Sequence, residues 1–306
     1  MIQKKTYQRA LFDCVKRGST IIPDDVLAAF SDAVGRETCE SAREGLAHTL
    51  ESMKLARLRE KPACPDTGWP LFFFKVGNSC AIEGGFLGLE EAARNAVRSA
   101  TREGYLRATM KHPLTGQDPG DNVGNNIPHF TYKFAEGEDL QIIYAAKGGG
   151  SECFGGTRHR VIAFADGVRG IEKFVVESFI EASRAGAICP PNILGVGIGG
   201  TADVAAGLAK QAACLRPIGS RNPDRQFSKI EEDLHRAINS LKVGCMGVGG
   251  DTSVFAVHVE YAYTHLAGIC VAISSNCMVA RRAACRIAAD NTAVQLRCPE
   301  WFEGGR

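Results

Sequence analysis

The chain has no C-x-x-C pair, so its twelve cysteines offer neither a zinc ribbon nor a thioredoxin-type redox motif. It also has no excess of charge of either sign. Thirty-six Lys and Arg against 34 Asp and Glu leave a formal charge of +2, which gives no electrostatic case for nucleic acid or an anionic membrane. Small anionic substrates need only a local cluster of charge and stay compatible. Two long uncharged runs, 185–202 and 261–280, are poor membrane spans. The first carries two prolines and five glycines, and the second carries His, Thr, Ser and Asn, so both read as buried protein interior. The opening MIQKKTYQRALFDCVKRG mixes basic and apolar residues without an apolar core, unlike a secretory signal, and a cytoplasmic location is expected. Repeats, long linkers and low-complexity tracts are missing as well.

What is present is an enzyme-sized chain of 306 residues, 45% apolar and 23% charged, ordinary for a globular protein. Residues 1–60 have apolar positions at helical spacing, with Asp24, Asp25 and Thr38 as caps or first-turn residues. LFFFKVG (71–77) is strand-like, and Leu89–Met110 carries an amphipathic helix pattern broken near Gly104. A turn-rich loop follows, then TYKFAEGEDLQIIYAAK, which predicts a hairpin. Helices are predicted at 167–186, at TADVAAGLAKQAACL and at SKIEEDLHRAINSL. SVFAVHVEYAYTH alternates with period two, putting Phe255, Val257, Val259, Tyr261 and Tyr263 on one face with His265 in phase at its end. The expected class is α+β, one compact unit of mixed and antiparallel sheets flanked by helices. Its segments would be a helical 1–60, a core over 61–290 and a C-terminal tail, 291–306.

Structural disulfides are disfavoured in a cytosolic protein, so most of the cysteines read as buried small residues. Three stand apart. Cys64, between Pro62 and Pro65, and Cys189, before Pro190 and Pro191, sit on stiff irregular loops. Cysteine followed by proline occurs at iron–sulfur ligands, although Cys298-Pro299 shares the dipeptide. Cys277 is placed beyond a strand at the opening of a helical segment, where N-terminal dipoles would favour a thiolate. Three thiolates on separate loops suit a four-iron cluster with one iron left open as a Lewis acid. GVGIGG (195–200) satisfies G-x-G-x-x-G before a helix, but Pro190 and Pro191 stand where the preceding strand should be, and GSRNPD follows where a strand ending in an acid is needed. The alternative is a glycine-rich turn that lets backbone approach something closely. KGGGSE (147–152) reads equally as an anion-binding nest or as a hairpin tip.

Eight stretches, CPDTG, YLRATMKHPL, NVGNNIPHFTY, AKGGGSE, CPPNILGVGIGGTAD, RPIGSRNPD, VGCMGVGGDTS and THLAGICVAISSNC, occur in order. Together they resemble the α subunit, or N-terminal half, of class I fumarases and their tartrate dehydratase relatives. The resemblance implies a hydro-lyase with a [4Fe-4S] cluster held by Cys64, Cys189 and Cys277, acting on fumarate and malate or on a related hydroxy-dicarboxylate such as tartrate. It further implies that Arg107 clamps a substrate carboxylate, that His265 hydrogen-bonds the other end, that Asp66 takes part in proton transfer, and that Gly149 and Gly150 offer backbone donors. Each of these has a plainer reading from the residues alone: a solvated helix arginine, a strand-end histidine, a turn-forming aspartate.

Two departures bear on the substrate. Pro65 stands where the family usually has a glutamine that contacts substrate, and GGGSEC replaces the usual GGGSEN or GGGSAN, putting Cys153 beside the glycine run. They open the site to tartrate-like, methylated or otherwise substituted hydroxy-dicarboxylates. The resemblance also implies a β subunit, expected in an α2β2 assembly, because in the family that partner supplies further arginines, a lysine and a Thr or Ser. Two other classes fit parts of the sequence: an NAD(P)-dependent oxidoreductase built on GVGIGG, and a non-catalytic iron–sulfur subunit.

Overall fold

In a computed structural model describing residues 1–186 and 188–302, the chain begins with three helices, α1 (Lys4–Thr20), α2 (Asp24–Arg36) and α3 (Glu40–Arg59). Then come β1 (Trp69–Gly77), α4 (Gly85–Arg102), β2 (His129–Ala135), β3 (Leu140–Lys147), α5 (Gly149–Cys153), β4 (Thr157–Ile162) and α6 (Gly167–Arg184). The rest runs β5 (Asn192–Ile198), α7 (Ala202–Leu215), α8 (Arg225–Ser240), β6 (Val254–Tyr261), β7 (Ile269–Asn276), β8 (Arg281–Ile287) and β9 (Ala293–Leu296). The class is α+β, as expected, with two mixed sheets flanked by helices. Two compact units are traced: residues 1–23, 52–147 and 281–301 form the first, and 24–51 with 148–280 form most of the second.

The first unit is built on a five-stranded sheet, β2-β1-β3-β8-β9, in which only the β1–β2 pair is parallel. β1 is buried on both faces, which is why LFFF reads as an unbroken apolar run. Phe72 and Phe74 meet Tyr7 and Leu11 of α1 and Leu89 and Val97 of α4 in one core, while Phe73 packs edge-on against Trp301 with ring centroids 5.5 Å apart. The hairpin expected at 131–147 does not form. β2 and β3 both pair with β1, which lies between them, and the connection wraps the end of β1, where the Gly77 N–H donates to the Asp139 carbonyl at 2.8 Å. β1, buried on both faces, is inserted between the two runs, and β3, buried at all eight positions, takes the centre of the five-stranded sheet. The helix expected over Leu89–Met110 starts earlier and stops at Arg102, because Gly104 at φ +80° turns the chain out of helical geometry.

The second unit holds a four-stranded sheet, β4-β7-β5-β6, with β5 and β6 parallel. Helix α7 lies against β5 and β7, and the first two glycines of GVGIGG, Gly195 and Gly197, are explained there. A Cβ on Gly195 would stand 2.0 Å from the Ala209 carbonyl oxygen, and one on Gly197 would stand 1.9 Å from that of Ala205. The close approach that the run permits is therefore of α7 to the sheet. Asp224 caps α8 by accepting the Gln226 N–H at 2.8 Å. β6 ends at Tyr261 with both faces largely buried, so His265 lies in the loop beyond it rather than in phase on the strand. Strand β8, not a helix, follows Cys277, and the dipole argument for that thiolate does not apply. The two uncharged runs include the buried strands β5 and β7, and among the described residues no helix is long and apolar enough to cross a membrane.

Candidate functional site

In the first unit the Cys64 loop is pinned at each step by polar contacts. The Ala63 N–H donates to the Ser19 carbonyl at 2.9 Å, the Arg107 guanidinium donates to the Pro65 carbonyl at 2.9 Å, and Arg281 donates through Nη1 to the Asp66 carbonyl at 2.6 Å. Asp66 also forms an Asx turn, its Oδ1 accepting the Gly68 N–H at 3.0 Å. Thr67, 1% exposed, accepts the Arg107 N–H on its hydroxyl at 3.1 Å. Arg107 is thus not a helix residue. Its segment is irregular and rests on Asn122, 2% exposed, whose side chain donates to the Arg107 carbonyl at 2.7 Å and accepts the Thr109 N–H at 2.8 Å. The structure accordingly brings Cys64, Pro65, Asp66 and Arg107 together, with the half-buried thiol and the exposed guanidinium on one pair of strapped loops.

In the second unit Cys189 and Cys277 are brought together by backbone. The Met278 N–H, next to Cys277, donates to the Cys189 carbonyl at 3.1 Å. Asn192, fully buried at the start of β5, then donates from Nδ2 to the Ile188 carbonyl at 2.6 Å and to the Asn276 carbonyl at 3.2 Å, clamping the residues that immediately precede the two cysteines. Cys189 itself has φ +52°, a left-handed conformation that costs a non-glycine residue about 1–3 kcal/mol and persists where its surroundings over-determine it.

Gly149 and Gly150 open the five-residue α5, so KGGGSE is a helical turn between two strands and not a hairpin tip. The exposed His265 accepts the Ala267 N–H on Nδ1 at 3.2 Å, which directs the proton of the neutral ring to Nε2.

None of the cysteines is joined in a disulfide among the described residues. Within either unit, among the described residues, no three His, Cys, Asp or Glu side chains are gathered as ligands of a single ion. The donor chemistry nonetheless fits an iron–sulfur cluster better than a hard cation: soft thiols on loops whose backbones are fixed by buried amides and guanidinium groups. Asn192 and Arg281 were not singled out from sequence. Asn192 passed as one more turn residue after two prolines. The signal for Arg281 was available in MVARRAACRI, where two consecutive arginines, 2% and 5% exposed in the structure, enter an apolar strand.

The class of the protein, a lyase, follows from the family it matches rather than from the fold alone. The chain matches the family model described as fumarate hydratase (fumerase) over residues 8–286 and belongs to that family. A Methanocaldococcus jannaschii protein provisionally named L(+)-tartrate dehydratase subunit alpha is 38% identical over 280 residues, spanning 90% of this chain and 95% of its own length. The L(+)-tartrate dehydratase subunit alpha of Escherichia coli strain UTI89 is 35% identical, spanning 91% of this chain and 89% of its own length, and that of strain K12 is 34% identical over the same shares.

Proposed function

We propose that the chain is the α subunit of a [4Fe-4S]-dependent hydro-lyase that reversibly removes water from a small hydroxy-dicarboxylate, and that Cys64, Cys189 and Cys277 hold the cluster. The observation that carries the reading is the Asn192 clamp on Ile188 and Asn276, which holds two of the three cysteines at neighbouring backbone positions. When bound, the cluster would supply a Lewis-acidic iron for a poor leaving group, the substrate hydroxyl. The names of the relatives favour a substrate of the tartrate type, and Pro65, in place of a glutamine, fits a substrate other than fumarate.

The chain's own residues then have separate tasks. Arg107 offers a guanidinium fork to one carboxylate, with its backbone fixed by Thr67 and Asn122 so that little freedom is lost on binding. His265 donates from Nε2 to the far end of the substrate, since Nδ1 is occupied by the Ala267 amide. Asp66, on the same loop as Cys64, orients or moves a proton, and Gly149 and Gly150 bring backbone N–H groups close without a side chain in the way. A β subunit, in an α2β2 assembly, completes the pocket in this reading, as the "subunit alpha" names of the relatives suggest.

The test is anaerobic reconstitution followed by iron and sulfide analysis of the parent, of Cys64→Ser, Cys189→Ser and Cys277→Ser, and of Cys298→Ser. The expected result is about four irons and four sulfides in the parent and in Cys298→Ser, with loss in each of the other three. Iron binding indifferent to those three cysteines would sink the reading. Dehydration of tartrate and of malate would then be assayed with a β partner present.

A further inference from the structure

The largest fully buried side chain among the described residues is a cation. Arg281, the first residue of β8, pairs with Ala146 of β3 in the first sheet and is 2% exposed. Its Nη1 donates to the Asp66 carbonyl at 2.6 Å, but Nε and Nη2, both out of solvent, meet no hydrogen-bond partner among the described residues. These two donors lie along one edge of the guanidinium, the edge that grips an anion side-on. A guanidinium stays charged at every working pH, and a buried charge left uncompensated costs several kcal/mol. This guanidinium also faces the buried Tyr144 phenol, which burial pushes up to about 12 against the opposing charge of Arg281.

We propose that Arg281 is the positioning residue of the Cys64 loop and the cation that balances the charge of the cluster bound there, its Nε–Nη2 edge donating to cluster sulfur. The proposal rests on the cluster reading given above. A thiolate-ligated iron–sulfur cluster is anionic overall, and hydrogen bonds to its sulfurs together with nearby charge set its potential. The Asp66 carbonyl that Arg281 holds lies two residues from Cys64, and Cys277 lies four residues before Arg281 in the chain, no more than about 14 Å even fully extended. Burial selects the occupant. Donors sealed from solvent suit a prosthetic group inserted once, whereas a substrate carboxylate has to reach its donors at every turnover.

The experiment compares parent, Arg281→Met and Arg281→Lys chains after anaerobic reconstitution, each checked for folding by circular dichroism. It reads the midpoint potential of the cluster by redox titration and the rate of iron loss to a chelator. Reduction adds negative charge, which a cation stabilises. Arg281→Met should therefore shift the couple to lower potential and release iron several-fold faster. Arg281→Lys should stay near the parent potential yet still lose iron faster, because a single ammonium cannot hold the Asp66 carbonyl and present a two-donor edge to the cluster at the same time. If Arg281→Met takes up no cluster, Arg281→Lys decides by its iron loss alone. A parent that binds no iron overturns the cluster reading itself. A loaded parent whose variants share its potential and its rate of iron loss overturns only the role given to Arg281.

Discussion

Replacing Asn192 by alanine removes one amide and breaks two contacts made from a fully buried position. The Ile188 carbonyl, bonded at 2.6 Å, lies outside the β5–β7 ladder and would be left without this donor, at about 1–3 kcal/mol. Asn276 lies within that ladder opposite Ile193, so its bond is worth an ordinary net hydrogen bond, about 1 kcal/mol. The amide oxygen of Asn192 has no hydrogen-bond partner among the described residues and adds nothing to the loss. The sum is about 2–4 kcal/mol, a sizeable part of the 5–15 kcal/mol that a folded chain has in total. Urea unfolding of the cluster-free chain should show it as a lower midpoint, accompanied by a fall in thermal midpoint of roughly 4–8 °C. Asn192→Asp, close in shape but turning an acceptor towards two carbonyls, should cost at least as much. Either variant within about 0.5 kcal/mol of the parent would refute the claim that this amide fixes the Cys189 and Cys277 backbones.

Three other outcomes follow from the same structure. Gly195→Ala and Gly197→Ala force a Cβ to within about 2 Å of α7 carbonyl oxygens and should each cost about 3 kcal/mol or more in urea unfolding, whereas Gly207→Ala, on α7 with nothing nearer than the Gln211 amide at 4.0 Å, should be neutral or stabilising by up to about 1 kcal/mol. Glu231, wholly buried, accepts from Arg216 at 2.6 Å and from the Asn222 and Val259 amides, so Glu231→Gln leaves Glu260, at 3.2 Å, as the remaining counter-charge of Arg216 and should cost about 1–3 kcal/mol by the same assay. Asp251 is held well below the usual carboxylate range by Lys242 first and then by Thr38. Its folded form therefore binds a proton more weakly than its unfolded form, and the stability it contributes is present above about pH 4 and lost as the pH falls further. Asp251→Asn should flatten that acid limb of a pH–stability profile, and an unchanged limb would show that the contact is idle.

Much of the fold was legible in local pattern. The three opening helices, the buried run LFFF, and the helices α6, α7 and α8 all lie where periodicity put them, because each buries a face that its own sequence declares. The failures share a cause. TYKFAEGEDLQIIYAAK has every local mark of a hairpin, yet β1, supplied from more than fifty residues earlier, separates its strands. The MVARRAACR segment has good helix formers, yet pairing with β3 draws it into a strand. In both cases a distant partner overrode a local preference.

The same division runs through the candidate site. The stiffness of the cysteine loops could be read directly, since proline acts on its own neighbours. What holds those loops could not, because Asn192 reaches Asn276 across 84 residues and Arg281 reaches Asp66 across 215. Stiff loops limit the directions a thiol can take, but only an anchor from elsewhere in the fold selects one of them. A buried amide and a buried guanidinium suit that task better than apolar packing, since each fixes a carbonyl at a set distance and is costly to leave unpaired. The cysteines that lack such anchors make the contrast. Cys14 and Cys285 are sealed among α1, β3 and β8, and burial raises both thiols, against the direction a ligand needs. Cysteine count therefore said little about this chain. Under the proposed cluster reading, the polar side chains beneath each cysteine loop distinguish the three proposed ligands from thiols that fill space.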